Sequence, residues 1–177
     1  EKDLEGLPAI ILMDAPEDPE ERLKFEAAFF IAQDSEVETV KPVEKHLARC
    51  ILGDCAAVTL DKLMKQYGIS FTSKKGQRDK AVLGSYNDTY GIANSHGEQC
   101  LDFIFSIIEN VGWNKESNGY ASDIMRAFKN IWIEYRYNRN EIHGFLSRRL
   151  RHLSPQQFVA ESRAKYPNRG HSTQTTL

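Results

Sequence analysis

Arg136 and His143 stand in the C-terminal half of the chain with six residues between them. A histidine shuttles a proton near neutral pH, and an arginine stabilises charge building on a phosphoryl oxygen, so the pair has the parts for acid–base work on a phosphodiester. The plainer reading is a surface histidine ahead of Gly144. Two further histidines each precede a cysteine by four positions, His46 with Cys50 and His96 with Cys100. On a helix that spacing puts both ligand types on one face, and two such pairs facing each other could hold a tetrahedral zinc ion. No close Cys-x-x-Cys pair accompanies them. Buried thiols and a satisfied histidine explain the spacing more cheaply, so neither a metal nor another cofactor is expected. Two basic clusters complete the candidates. One is Lys74, Lys75, Arg78 and Lys80; the other is Arg148, Arg149, Arg151 and His152, with Arg136 and Arg139 a little earlier. Either could pair with nucleic-acid phosphates, which would make binding steeply salt-dependent, and either could be a solvated face. Trp132, Tyr135, Tyr137 and Phe145 interleave with the second cluster but fit a helix core equally well. No Gly-rich phosphate loop, nucleophile elbow or paired acidic dyad is visible.

The charge balance adds direction to those clusters. Residues 1–61 hold 15 Asp/Glu against 6 Lys/Arg, and residues 62–177 hold 10 against 17, although the net charge is only −2. Such asymmetry makes an anionic partner for the second part plausible; two halves that simply pack together would show it too. At 41% hydrophobic and 27% charged residues, the 177-residue chain has the composition of a globular domain rather than a disordered one. Its longest apolar runs fall short of the roughly 18–20 residues that a spanning helix needs, so no membrane partner is expected. Three cysteines, an odd number without secreted-scaffold spacing, suit a reducing cytoplasm. The chain opens on Glu1 rather than Met, as a piece of a longer protein would.

The elements that must position these residues are mainly helices. Residues 7–13 (Leu-Pro-Ala-Ile-Ile-Leu-Met) read as a strand, the end of a preceding α/β fold or an N-terminal strand within residues 1–15. Pro16 and Pro19 among acids mark a turn and a helix start, and the helix ends near residues 33–34. Pro42 opens a second helix with Val43, Leu47, Cys50 and Ile51 on its inner face and Gly53 as its stop. A third spans about residues 54–67, with Ala57, Leu60, Leu63 and Met64 inward, and ends at Gly68. Residues 60–70 have the spacing of the first helix and turn of a helix-turn-helix, but residues 71–76 look extended, which favours a plain glycine cap. Residues 69–72 and 81–83 flank a polar stretch and read as a small β-hairpin with the first basic cluster at its tip. Helices follow at 96–111, 122–135, 139–151 (Ile142, Phe145, Leu146 and Leu150 inward) and 155–165, the last capped by Ser154. The expected organisation is therefore a mainly α, multi-helix domain over 16–165 and a C-terminal tail over 166–177.

Residues 25–69, read with Leu7-Pro8-Ala9-Ile10, Pro42-Val43-Glu44 and Gly68-Ile69-Ser70, resemble the helical region after the catalytic fold of ParB/sulfiredoxin-like proteins of phages and plasmids. Residues 86–91 and Gly112-Trp113-Asn114 resemble a downstream segment of the same family. The resemblance implies a DNA-associated protein. However, the family's Asp-Gly-x-His-Arg signature is missing, and Phe30 to Asp34 stand where nucleotide-binding members carry Glu-Asn-x-x-Arg. Asp34 would repel the phosphate that the family's arginine would pair with, so nucleotide hydrolysis by this chain is not expected. The spacing of Arg136 and His143 is similar to that of HEPN-type ribonucleases, helical proteins in which an arginine and a histidine act across a dimer on the RNA 2′-hydroxyl and phosphate. Tyr137 replaces the polar residue usual beside that arginine. The sequence thus leads to a ParB-like DNA-associated binding domain without catalysis, its contacts made by Lys74, Lys75, Arg78, Lys80, Arg148, Arg149 and Arg151. The alternatives are a ribonuclease using Arg136 and His143, and a module for homo-oligomer or protein–protein contacts.

Overall fold

The computed structural model describes residues 15–33, 41–71 and 79–165. The expected N-terminal strand, the C-terminal tail and the basic residues Lys74, Lys75 and Arg78 lie outside them. The described chain is mainly helical: α1 (Pro19–Gln33), α2 (Pro42–Ile51), α3 (Cys55–Tyr67), β1 (Ser70–Phe71), β2 (Val82–Leu83), α4 (Tyr86–Asn110), a 3₁₀ turn (Trp113–Lys115), α5 (Ser122–Glu134), α6 (Arg139–Leu150) and α7 (Pro155–Lys165).

Local chemistry explains most boundaries. Proline opens α1, α2 and α7, where its missing N–H has no intrahelical partner to lose. Asp18 Oδ1 accepts from the Glu20 and Glu21 amides, each at 3.0 Å. Asp54 Oδ1 accepts from those of Ala56 (2.9 Å) and Ala57 (3.1 Å), so both carboxylates stabilise first turns. Ser154 and Gln157 bond each other's amides reciprocally at 3.2 and 2.8 Å, a capping box at the start of α7. Gly68 ends α3 in the left-handed conformation (φ 63°), and Ile69 N–H closes the cap on the Met64 carbonyl at 2.8 Å. A strand, not a recognition helix, follows it.

Helix α4 is the axis of the core. Leu101, Ile104, Phe105, Ile107 and Ile108 are fully buried along it, against α3 on one side and α5 and α6 on the other. Three contacts step along α3 and α4 in the same direction: Tyr90 OH to Asp54 at 2.6 Å, Lys62 to Glu98 at 2.7 Å and Tyr67 OH to Asp102 at 2.7 Å. The two helices therefore run parallel. Arg126 clamps α5 to α4 through Asp88 at 2.7 Å. Trp113 of the 3₁₀ turn is fully buried, with its indole N–H donating to the Leu153 carbonyl at 2.6 Å.

Four sequence expectations are corrected. The two extended pieces do form a small β element, but they pair in parallel, Ser70 with Val82 and Phe71 with Leu83, and are not a hairpin. This register lets both apolar residues close on the core: Leu83 is buried, and the Phe71 ring lies 4.7 Å from His46 and 5.7 Å from Tyr86. Helix α4 begins ten residues earlier than His96 and bends at Gly97, whose φ of 73° a β-carbon would oppose. Helix α2 buries His46 and Ala48 and leaves Leu47 55% exposed, with Ile51 also outward. Its docking face is set by the fit of the imidazole between Phe71 and Tyr86, which hydrophobic periodicity alone does not register. Phe145 is 48% exposed on α6, outside the inward row of Ile142, Leu146 and Leu150.

Candidate functional site at the α5–α6 corner

Arg136, Arg139 and His143 stand where α5 ends and α6 begins, whereas Arg148, Arg149, Arg151 and His152 lie at the opposite end of α6. Asn138 N–H bonds the Tyr135 carbonyl at 3.0 Å, forming a tight turn with Arg136 and Tyr137 at its tip. Arg136 is exposed, and its guanidinium carbon lies 4.5 Å from the Tyr137 ring centroid. Arg139 and His143 follow in α6 at a spacing of four, so they share one face of the helix. The Arg139 guanidinium stacks on Trp132 at 3.5 Å, and the His96 ring lies 6.0 Å from the indole. The arginine on His143's face is thus Arg139, while Arg136 belongs to the outer turn.

His143 is held from α4. Ser106 Oγ donates to the Phe103 carbonyl at 3.0 Å and lies 2.9 Å from His143 Nε2. The roles in this contact follow the imidazole tautomer: with the hydroxyl hydrogen on the Phe103 carbonyl, Nε2–H donates to the hydroxyl oxygen. In that tautomer Nδ1 is the unprotonated nitrogen of the neutral ring. The Phe103 ring stands 5.6 Å away, edge-on, and fixes the plane of the imidazole. Burial lowers the His143 pKa below the usual histidine value against the opposing charge of Asp102, so the ring is neutral at pH 7. Tyr67 holds Asp102 by its 2.7 Å hydrogen bond. Ser106 by contact and Asp102 by its charge act on His143 from an element distant in sequence, and no local motif announces them.

Arg136 and Arg139 stand at the corner beside Glu134 and Glu141, and the far end of α6 carries Arg148, Arg149 and Arg151. Among the described residues none of these arginines forms an ion pair. Arg148, Arg149 and Arg151 are exposed, as is Lys80 of the other predicted cluster.

The histidine–cysteine pairs are not brought together as a metal centre: among the described residues no three potential ligands converge. His96 instead faces Trp132, and Cys100 is buried, its thiol pushed up to about 12 by desolvation. His46 is only 2% exposed, with Nε2 at 3.6 Å from both Cys50 Sγ and Asp61 Oδ1 and Nδ1 unpartnered. Its burial lowers its pKa despite Asp61. A folded pKa below the unfolded one means that the unfolded chain takes up the proton first, so stability present above about pH 6.5 falls as the pH drops below it. Thermal denaturation between pH 7.5 and 5.5 is therefore expected to show a declining Tm, with a smaller decline in His46→Leu. An unchanged slope in that variant would assign the acid sensitivity elsewhere.

A cavity of about 360 Å³ opens beside α5 and α7, bordered by Asp123 and Arg163, and contains none of the predicted site residues. Among the described residues no helix is long and apolar enough to cross a membrane. Compared with known proteins, the chain matches no family model, no curated protein and no solved structure.

Proposed function

We propose that the α5–α6 corner is a ribonuclease site in which His143 is the general base. The observation that supports this reading is the Ser106–His143 contact at 2.9 Å, which holds the imidazole one helical turn from Arg139; with Nε2–H donated to Ser106, Nδ1 is the base. In the reaction the RNA 2′-hydroxyl gives its proton to Nδ1 as its oxygen bonds to the adjacent phosphorus. The bond from phosphorus to the 5′-oxygen then breaks, and the protonated imidazole returns the proton to that leaving oxygen. The products are a 2′,3′-cyclic phosphate and a 5′-hydroxyl. Arg139 and Arg136 stabilise the charge on the phosphoryl oxygens. The chemistry needs no metal, and the three free cysteines suit a cytoplasmic setting.

A second reading is favoured by Arg148, Arg149 and Arg151, which are exposed without acidic partners among the described residues. It is DNA-associated binding without cleavage, the role implied by the ParB-like resemblance. One experiment separates the two. Labelled RNA and DNA of the same sequence are incubated with the chain at two salt concentrations, and both binding and strand integrity are read. The ribonuclease reading expects RNA cut to cyclic-phosphate ends and DNA left intact, because DNA lacks the 2′-nucleophile. Binding is expected to weaken with salt, with a log–log slope of about −2 for three contacts to a single strand. Salt-sensitive DNA binding with all strands intact would select the second reading, and no binding at low salt would defeat both.

A further inference from the structure

We infer that the turn between α5 and α6 is a stacking platform for unpaired bases, so that this corner takes single-stranded nucleic acid in preference to duplex. The inference rests on the reading of the corner as a nucleic-acid site and names the substrate it would select.

The observations concern three consecutive residues. Tyr137 is 83% exposed at the tip of the turn, and Tyr135 is 41% exposed beside it. A tyrosine placed so far into water makes little contribution to the core, and its ring offers a flat apolar face with a polar tip. Arg136 lies against that ring at 4.5 Å, which restrains the ring and sets a positive charge directly beside it. A second guanidinium–aromatic stack, Arg139 on Trp132 at 3.5 Å, follows at the start of α6. The turn thus alternates aromatic faces with phosphate-pairing cations.

That alternation matches the repeat of a single strand, in which each nucleotide offers a π-face and one negative charge. A duplex hides its base faces inside the stack and presents phosphates alone, so it would engage the arginines but leave Tyr137 without a partner. An acidic protein would pair with the arginines but has no need of an exposed ring. A second copy docking on this face is separated from a single strand by the oligomeric state in the test below. The guanidinium held against the exposed Tyr137 ring, a cation and a π-face side by side, is the arrangement that favours a single strand.

The test is fluorescence anisotropy of the full chain with labelled oligouridine and with an RNA duplex of equal length. A His143→Gln background keeps the probes intact, so the result does not depend on cleavage. Tyr137→Ala is expected to weaken oligouridine binding about tenfold, within the range of one base–aromatic stack, and to leave duplex binding unchanged. Tyr137→Trp is expected to restore affinity, and its added fluorescence should be quenched as oligouridine binds. Equal oligouridine affinity in Tyr137→Ala and the parent overturns the inference, as does an equal loss on duplex. A dimer dispersed by Tyr137→Ala without change in oligouridine affinity also overturns it and assigns the face to self-association. If the wild-type chain cuts no RNA but the Tyr137-dependent preference holds, the platform stands and the ribonuclease reading falls.

Discussion

His143→Gln is expected to lower RNA cleavage by about 10²–10⁴-fold, the usual contribution of a positioned general base. Glutamine is the informative replacement because its amide N–H can still donate to Ser106 Oγ, 2.9 Å from the imidazole in the native chain, whereas it takes up no proton. Loss of rate with unchanged thermal stability and unchanged oligouridine binding would identify chemistry, not folding. His143→Ala also removes the hydrogen bond to Ser106, worth about 1 kcal/mol of stability, and would complicate that comparison. Ser106→Ala supplies the complementary result. It removes the acceptor that fixes the imidazole tautomer, so the rate should fall less than with His143→Gln and the acid limb of the pH profile should move. In the native chain that limb reports protonation of the base. Since burial lowers the His143 pKa, activity should persist at pH 6.5 and decline only in more acidic solution. An acid limb above pH 6.5, or cleavage by His143→Gln at the wild-type rate, would remove His143 from the mechanism.

The parts of this molecule legible in the sequence are those written by local chemistry. Pro19, Pro42 and Pro155 mark three helix starts, Ser154 caps α7, and Gly68 closes α3, each through bonds within a few residues of itself. Leu60, Leu63 and Met64 recur at helical spacing and are buried, as that spacing predicts. The misreadings arise where a distant partner decides. Tyr86, Thr89, Ile92 and Ala93 form the buried face of the first half of α4, but their mixture of hydroxyls and small side chains has no strong apolar period. Leu47 and Ile51 have the better period on α2, yet His46 occupies the docking face because Phe71 and Tyr86 are there to receive its ring. The site divides in the same way. Arg136 and His143 were visible at a suggestive spacing and Arg139 only as part of a basic run, while Ser106 lies 37 positions from His143 and meets it only when α4 packs on α6.

The same dependence on distant contacts makes Trp113 the side chain whose loss should cost the fold most. It is fully buried, stacks on Phe128 at 6.1 Å between ring centroids and meets Phe158 at 5.5 Å, so one indole joins the 3₁₀ turn to α5 and α7. Its N–H donates to the Leu153 carbonyl at 2.6 Å and so ties down the segment between α6 and α7. Trp113→Ala removes both the packing and the donor and is expected to destabilise the chain by about 3–5 kcal/mol, a large share of the roughly 5–15 kcal/mol that holds an ordinary domain folded. Trp113→Phe separates the two contributions: the ring contacts largely persist while the carbonyl loses its donor, for a cost of about 1–3 kcal/mol. Urea denaturation followed by circular dichroism would read both as shifts of the midpoint at constant slope. If Trp113→Ala shifted the midpoint no further than Trp113→Phe, the hydrogen bond would be the whole of the residue's contribution and the aromatic cluster around it would carry no stability of its own. The expected difference between the two variants isolates that cluster, which fixes α7 against α5.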